Sequence, residues 1–380
     1  MTVPAVFPQL PSRLDVLLGG AVANHPQEED AFLLNISAPT GASNRPVLFF
    51  IHGGGFTSGG GVLPWYAGRR LALDGDMVIV TMNYRLGPLA HLMIGTRDDD
   101  ANRSVNDLLQ ALTWVQENIT LFGGDPDNVT VAGQSAGAFY GQLLAVLPET
   151  RGLIRRLILL SCPAIAASSP ARTQALSAET IACLEGQDPR TVPVEDLLAG
   201  YRQAMKNHTK FGVVGTGLMP TVDARVPDWL NNASRIAHAL SVTDLLVTYT
   251  SDETGAYFFN APERRITEEQ LQRLDYPRHP AHEPPYSGLV AATTERLFGK
   301  HARALVAASR ERGIGADLRE FTLSSTVDGL GSCHGLDVPF LFGNRAAWSG
   351  AQMLEGIDDD LFEAESAKLR CDIADFVHRS

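Results

Sequence analysis

Short apolar runs alternate along this chain with stretches in which apolar residues recur at helical spacing. Such an alternation is typical of an α/β fold, in which a mostly parallel sheet is covered by helices on both faces. The apolar runs predict strands at Val47–Ile51, Met77–Met82, Val129–Ala132, Leu157–Leu160, Leu245–Tyr249 and Leu318–Leu323. The helical spacing predicts helices at Asn106–Ile119, at about Ala136–Leu147 and at Leu361–Val377.

Two stretches depart from this alternation. Residues 166–236 have helical patterns and no strand pattern, so we expect a cap-like helical excursion over one end of the sheet within a single domain of residues 1–380. Residues 277–287 are rich in proline and predict an exposed loop. His279 and His282 in that loop have a spacing that binds metal only on a helix, which the prolines oppose, so we predict no metal site.

Composition narrows the class of protein. With 44% hydrophobic residues in 380, the chain can bury a large core, and its net charge of −12 argues against nucleic-acid binding. No apolar run approaches the roughly 20 residues that span a bilayer, and Met1–Gly20 is too interrupted for a secretory signal. The four scattered cysteines favour free thiols in a reducing compartment. We therefore expect a cytoplasmic protein without membrane partners. The sequence does not determine its oligomeric state.

The most informative motif is Gly133-Gln134-Ser135-Ala136-Gly137, between a predicted strand and a predicted helix. A strand, a G-x-S-x-G turn and a helix in this order are typical of a nucleophile elbow, whose tight turn exposes the serine hydroxyl and tolerates only very small flanking residues. The motif alone also fits an ordinary glycine-rich turn. Its context favours Ser135 as the nucleophile.

Three other strand ends carry reactive groups, and the carboxyl ends of parallel strands are where sites form in open α/β sheets. His52-Gly53-Gly54-Gly55 follows the first predicted strand. Its glycines can turn N–H groups inward, so Gly54 and Gly55, with the N–H of Ala136, are candidate oxyanion donors, while His52 braces the loop. A phosphate-binding loop is the alternative, but the required G-x-G-x-x-G or Gly-Lys-Ser/Thr pattern is missing.

The remaining two strand ends offer an acid and a base. Asp252 and Glu253 follow the strand at Leu245–Tyr249, and His334 lies in a small-residue loop after the last predicted strand. The chain order serine, acid, histidine is the order in which this fold supplies a catalytic triad. Ser135 would attack, His334 would move the proton, and either carboxylate could orient the imidazole. This chemistry requires no metal or organic cofactor.

Several further stretches, taken with these, resemble the type-B carboxylesterase/lipase family, the relatives of cholinesterases. The similarity runs in family order from about residue 28 to residue 343. The matching stretches are Glu29–Ile36, Ile51–Phe56, Asn83–Gly87, Asn118–Ile119, Phe122–Pro126, Gly133–Gly137 and His334–Gly343. The resemblance implies an α/β-hydrolase fold, a serine esterase activity on small to medium esters, and a small-molecule ester as the partner.

Carried over by position, the resemblance implies Ser135 as nucleophile, Glu253 as the acid in preference to Asp252, and His334 as base. It likewise implies Gly54, Gly55 and Ala136 as oxyanion donors. Ser161 stands where relatives carry a second serine near the triad; it either assists by hydrogen bonding or caps its strand.

The departures from the family concern the substrate. The cysteine-closed loop that relatives carry near the first strand is missing, so we expect a shortened member with a shallower, more open site. Gln134 replaces a common glutamate and removes a charge that favours cationic substrates. Four aromatic residues either line an acyl or alcohol pocket or pack in the core: Phe56, Trp65, Phe139 and Tyr140. Cys333, beside the base, is the one thiol whose modification could affect activity.

Two other functions remain open at this level. The same triad could serve a biosynthetic enzyme that forms or opens a lactone or transfers an acyl group, and a broad ester panel would discriminate it. A non-catalytic adhesion or binding protein on the same scaffold is the second alternative. Such proteins typically lose the nucleophile, and this chain retains all the triad elements.

Overall fold

The computed structural model describes residues 3–95, 101–208, 217–259 and 285–379. Its centre is a seven-stranded sheet in the order β1-β3-β2-β4-β5-β6-β7. β1 runs antiparallel to β3, and all other neighbouring strands are parallel. The strands are β1 (Leu34–Ser37), β2 (Arg45–Ile51), β3 (Val78–Met82), β4 (Gly124–Gln134), β5 (Arg156–Leu160), β6 (Asp244–Thr250) and β7 (Gly315–Phe321).

Helices connect these strands and follow the last one. In chain order they are α1 (Asp15–Leu18), α2 (Arg69–Gly75), α3 (Gly87–His91), α4 (Arg103–Asn118), α5 (Ala136–Val146), α6 (Pro170–Ala182), α7 (Val194–His208), α8 (Ala233–Ala239), α9 (Gly255–Phe258), α10 (Pro285–Thr294), α11 (Lys300–Glu311), α12 (Asp337–Phe342) and α13 (Asp359–Val377). None of the helices in the described ranges is long and apolar enough to cross a bilayer.

The sheet is buried on both faces, as the strand β2 illustrates. Val47, Phe49 and Ile51 belong to one core cluster, together with residues of α4 and α5. Leu48 and Phe50 point the opposite way, into a second cluster that includes residues of α12 and α13. Because side chains alternate along a strand, an uninterrupted apolar run must have apolar layers on both sides. The predicted mostly parallel sheet with helices on both faces is confirmed.

The six predicted strands are all present, with ends that differ by a few residues. The antiparallel edge strand β1 was not predicted, because its four residues, Leu-Asn-Ile-Ser, are partly exposed and too few to establish a pattern. Residues 285–287, expected in a loop, begin α10. His279 and His282 lie outside the described residues.

The stretch from residue 166 to residue 236 contains α6, α7 and α8 and, in its described part, no strand longer than the isolated bridge between Ser168 and Thr221. α6 and α7 pack against each other through a small apolar cluster that includes Leu176, Leu197 and Tyr201. The Tyr201 hydroxyl accepts a hydrogen bond from the Leu218 N–H at 3.0 Å. Tyr201 therefore ties α7 to the chain that follows it.

Candidate active site

Ser135 lies between β4, in the centre of the sheet, and α5, in a backbone conformation that few residues adopt. Its φ is 56° and its ψ is −120°. The chain is held there by a hydrogen bond from the Ser135 N–H to the Leu160 carbonyl at 2.9 Å. A strained residue fixed by its surroundings at a strand end is typical of functional sites. The structure thus forms the elbow that the motif predicts.

The two flanking glycines are required by steric contact. A Cβ atom on Gly133 would lie 2.2 Å from the Gly137 carbonyl oxygen, and one on Gly137 would lie 2.0 Å from the carbonyl oxygen of Ile51. Both distances are shorter than van der Waals contact, and backbone cannot yield as a side chain does. The elbow therefore packs directly against the end of β2, which brings Ser135 to the glycine loop.

Three side chains from three loops meet at Ser135. His334 Nε2 is 2.7 Å from Ser135 Oγ, and His334 Nδ1 is hydrogen-bonded to Glu253 Oε2. The second oxygen of Glu253, Oε1, accepts the Thr250 N–H at 2.9 Å. Ser135 is 9% exposed, His334 4% and Glu253 0%. A hydroxyl, an imidazole and a carboxylate are thus joined in one buried hydrogen-bonded line.

Backbone hydrogen bonds hold the loop after β6 against the loop after β7. The His334 N–H donates to the Glu253 carbonyl at 3.1 Å, and the Asp252 N–H donates to the Ser332 carbonyl at 2.9 Å. Asp252 Oδ2 accepts from the Ser332 N–H and from Ser251 Oγ, and it makes no hydrogen bond to His334. Of the two candidate acids, only Glu253 contacts the imidazole, whereas Asp252 joins the loops.

The glycine loop after β2 lines the same cavity as Ser135. Gly54 and Gly55 both have positive φ, and a Cβ on Gly54 would lie 1.8 Å from the Ser58 carbonyl oxygen. His52 Nδ1 donates to the Gly53 carbonyl at 2.7 Å, as expected for a bracing residue. Burial lowers the pKa of His52 to about 4, so its imidazole is neutral at pH 7. The loop is therefore fixed without a charge beside it.

The N-terminal segment, residues 8–18, supplies part of the cavity wall. Gln9 attaches it to the glycine loop: Gln9 Nε2 donates to the Gly59 carbonyl at 2.8 Å and Gln9 Oε1 accepts the Gly59 N–H at 2.6 Å. The cavity measures 930 Å³. Ser135 is nine-tenths buried, and this segment closes part of the site. A site shallower and more open than in the family stays a prediction.

The four candidate pocket aromatics divide into two pairs. Phe56 and Trp65 line the cavity. Of the two roles left open for them, Phe139 and Tyr140 have the core role, because both are fully buried among core residues. Phe139 packs edge-on against Phe56, and the Tyr140 hydroxyl is 2.7 Å from Ser104 Oγ. Every residue of α5 from Ala136 to Ala145 is buried, so the helix has no polar face from which the orientation of these rings could be predicted.

Several side chains adjoin the triad, and two of them, Tyr257 and Phe298, were not identified from the sequence. The rings of Tyr257 and Phe298 lie 5.6 Å and 5.4 Å from the His334 ring. Gln134 Nε2 lies 3.3 Å from His334 Nε2 and places a neutral amide beside the base. Burial, and then the charge of Glu253, raise the pKa of Asp337 to about 7. No spacing rule marks Tyr257 or Phe298, whereas Gln134 belongs to the elbow motif and Asp337 to the histidine-loop motif.

The four cysteines are free, and burial divides them into two classes. Cys162 and Cys333 are buried, whereas Cys183 and Cys371 are exposed. Burial raises the pKa of Cys162 to about 12 and raises that of Cys333 well above the ordinary thiol range, with a further contribution from Glu253. Because the thiolate is the reactive form, Cys333 should be inert in the folded protein.

Iodoacetamide at pH 8 is therefore expected to alkylate Cys183 and Cys371 but not Cys162 or Cys333, and to leave ester hydrolysis unchanged. Peptide mass spectrometry after timed labelling checks this, with the urea-unfolded protein as the control in which all four react. Loss of activity in step with Cys333 alkylation would restore the sequence-based hypothesis of a thiol coupled to activity.

Comparison with known proteins decides the family. The sequence model of the Carboxylesterase family matches residues 8–301. The chain belongs to the carboxylesterase family. Phenmedipham hydrolase of Pseudarthrobacter oxydans is 32% identical over 372 residues, which are 90% of this chain and 72% of that protein. Para-nitrobenzyl esterase of Bacillus subtilis is 35% identical over 63% of this chain, equal to 50% of its own length.

Solved structures of this family share the fold. A thermophilic para-nitrobenzyl esterase superposes with a TM-score of 0.81 at 28% identity, covering 98% of this chain and 79% of that one. A Geobacillus stearothermophilus carboxylesterase gives a TM-score of 0.80 at 29% identity, covering 97% and 79%. This carboxylesterase therefore has the α/β-hydrolase fold and is a serine hydrolase of carboxylic esters, as the resemblance implied. The lactone-forming or acyl-transferring alternative is not favoured.

Proposed function

We propose that this carboxylesterase acts through an acyl-enzyme on Ser135, with His334 as general base and acid and Glu253 as the orienting carboxylate. The observation that carries the proposal is the 2.7 Å contact between Ser135 Oγ and His334 Nε2, with the other imidazole nitrogen bound to Glu253. A nucleophile bonded to a base that a third group orients is the geometry that serine acylation requires.

In the proposed acylation, Ser135 Oγ forms a bond to the ester carbonyl carbon while its proton moves to His334 Nε2. The carbonyl oxygen becomes an oxyanion, which the N–H groups of Gly54, Gly55 and Ala136 would bind. The bond to the alcohol oxygen then breaks, and that oxygen takes the proton from Nε2. Ala136 is suited to this role because the first N–H groups of a helix have no partner within it.

Deacylation would repeat the sequence with water. His334 Nε2 takes one proton of a water molecule, whose oxygen bonds to the acyl carbon, and the collapsing intermediate returns Ser135 Oγ with the proton from Nε2. Glu253 orients the imidazole in both steps and stabilises its cation. Its Oε1 is occupied by the Thr250 N–H, so Oε2 accepts the Nδ1 proton of His334 and keeps Nε2 free to accept the serine proton.

We propose that the substrates are small to medium esters. A cavity of 930 Å³ falls within the usual range for small-molecule sites, roughly 300–1,000 Å³. Phe56 and Trp65 would contact the apolar part of the substrate. Trp65 is itself held by stacking on Trp348, with ring centroids 4.7 Å apart. A rigid aromatic wall favours compact acyl or alcohol groups over long flexible chains.

The architecture and location are proposed on separate grounds. We infer one domain, with residues 166–236 as a cap, because α7 contributes Leu198, Tyr201 and Met205 to the cavity that also contains Ser135. A cytoplasmic location is favoured by four free cysteines, two of them exposed, which persist best in a reducing compartment. The net charge of −12 favours a small-molecule partner over a nucleic acid.

Partitioning with methanol tests the acyl-enzyme. Phenyl acetate and 4-nitrophenyl acetate would give the same acetyl-Ser135, so the ratio of methyl acetate to acetate formed at a fixed methanol concentration is expected to be identical for the two. Gas chromatography and acetate determination measure the ratio, with the uncatalysed reaction as control. A ratio that changes with the leaving group would indicate direct attack by water and would overturn the proposal.

A further inference from the structure

Two arginines line the cavity without a part in the proposed chemistry. Arg13 precedes α1 in the N-terminal segment, and Arg202 lies on α7, so the two approach from different parts of the chain. Both are exposed at the rim of the cavity that contains Ser135 and His334. In the described part of the chain, neither guanidinium has a hydrogen bond or an ion pair. Other arginines form ion pairs, as Arg85 does with Asp107 and Arg370 does with Asp74.

The charge of Arg13 affects the pKa of Tyr257, which lies beside the triad. Burial, and then the charge of Glu253, raise the pKa of Tyr257, and the positive charge of Arg13 opposes them. The Tyr257 ring is 5.6 Å from the His334 ring. The positive charge of Arg13 therefore acts on a residue that lies beside His334.

The cavity lining has little negative charge with which to balance these arginines. Asp15 is its only carboxylate among the described residues, and Asp15 Oδ2 already accepts the Ser12 N–H at 2.9 Å. Beside Ser135, Gln134 supplies a neutral amide. Among the described lining residues two arginines therefore outnumber one carboxylate, in a chain whose net charge is −12. Charge of one sign lining a cleft attracts and orients substrates of the other sign.

We infer that the substrates of this site are esters whose acyl or alcohol part carries a carboxylate. Arg13 and Arg202 bind that carboxylate at the rim while the ester carbonyl lies at Ser135. Guanidinium groups match the geometry of a carboxylate and stay charged at any physiological pH. The inference rests on the proposed function, because it takes Ser135 as the point of attack.

Two matched ester pairs test the inference. For the alcohol side the pair is 4-acetoxybenzoate and 4-acetoxybenzamide. For the acyl side it is the 4-nitrophenyl monoester of adipic acid and the same ester with the free carboxylate methylated. The anionic member of at least one pair is expected to have a kcat/KM about tenfold higher, and about 0.5 M NaCl should reduce this advantage because salt screens exposed charges. The pair in which the anionic ester is hydrolysed faster shows whether the arginines bind a carboxylate on the alcohol part or on the acyl part of the substrate.

The double variant Arg13→Gln/Arg202→Gln is expected to lose about tenfold in kcat/KM on the anionic ester and to stay within about twofold on the neutral one. Each single variant should lose about threefold in kcat/KM on the anionic ester. The single variants carry the test if the double variant does not fold. Arg312→Gln is the matched control, an exposed arginine outside the cavity.

Equal kcat/KM for both members of both pairs, or an equal loss on charged and neutral esters in the double variant, would overturn this inference. Neither result would affect the proposed function as long as the neutral esters are hydrolysed in a Ser135-dependent way. Hydrolysis that persists in Ser135→Ala would instead refute the proposed function.

Discussion

Alanine at position 135 is expected to lower kcat for 4-nitrophenyl butyrate about a million-fold while the protein stays folded. The change removes only the hydroxyl that lies 2.7 Å from His334 Nε2 and leaves the elbow backbone intact. The rate that remains is what binding and the oxyanion donors supply without a nucleophile. Stopped-flow and long-time assays measure it, and circular dichroism establishes that the variant is folded.

A fluorophosphonate probe should label the wild-type chain once, at Ser135. The control is Ser161→Ala, because Ser161 is also buried, also has positive φ, and follows the neighbouring strand β5. Its N–H donates to the Thr248 carbonyl at 2.8 Å. The variant should remain labelled at Ser135, as located by peptide mass spectrometry. Labelling of Ser161 in the wild type would contradict the assignment.

Glu253→Gln is expected to lower kcat about ten-thousand-fold, through the tautomer of His334. The Thr250 N–H needs an acceptor, so the amide oxygen of the introduced glutamine would face it and the NH2 group would face His334 Nδ1. The imidazole would then carry its proton on Nε2 and could not accept the serine proton. The Ser135 contact would persist with its direction reversed, so KM should change little while kcat falls. Steady-state kinetics on 4-nitrophenyl butyrate measure both constants.

Asp252→Asn provides the matched control for this prediction. Asp252 precedes Glu253, but its carboxylate bonds the Ser332 N–H and Ser251 Oγ, both of which an amide oxygen can still serve. We expect less than about a tenfold loss of kcat, because one neutral hydrogen bond of this kind is worth about 1 kcal/mol. A larger loss for Asp252→Asn than for Glu253→Gln would assign the acid to Asp252.

The parts of the site that the sequence predicted were those governed by local geometry. Gly133 cannot carry a side chain because a Cβ would meet the Gly137 carbonyl oxygen, and this constraint acts within five residues, so the motif expresses it directly. The predicted strand runs that end at Ile51, Ala132 and Tyr249 likewise follow from local burial on both faces of the sheet. Once these strands are parallel, their carboxyl ends must lie at one edge.

Residues that act across long distances in sequence could not be predicted in this way. Gln9 contacts Gly59 through its side-chain amide, and nothing in the N-terminal segment predicts that it forms a wall of the cavity. The same holds for Arg13 and Arg202, which are far apart in the chain and line the same cavity. Whether Phe139 faces the cavity or the core could not be predicted, because its helix is buried on all sides.

The sequence by itself determined the sheet, the elbow at Ser135 and the order of nucleophile, acid and base, because steric limits and apolar periodicity act between near neighbours. The tertiary structure gave the physical reason for Glu253 rather than Asp252, which the resemblance had favoured, since only the Glu253 carboxylate bonds the imidazole of His334. It also decided which aromatic rings face the cavity and which charges surround it. Those properties depend on how distant segments pack, and packing is a property of the whole fold.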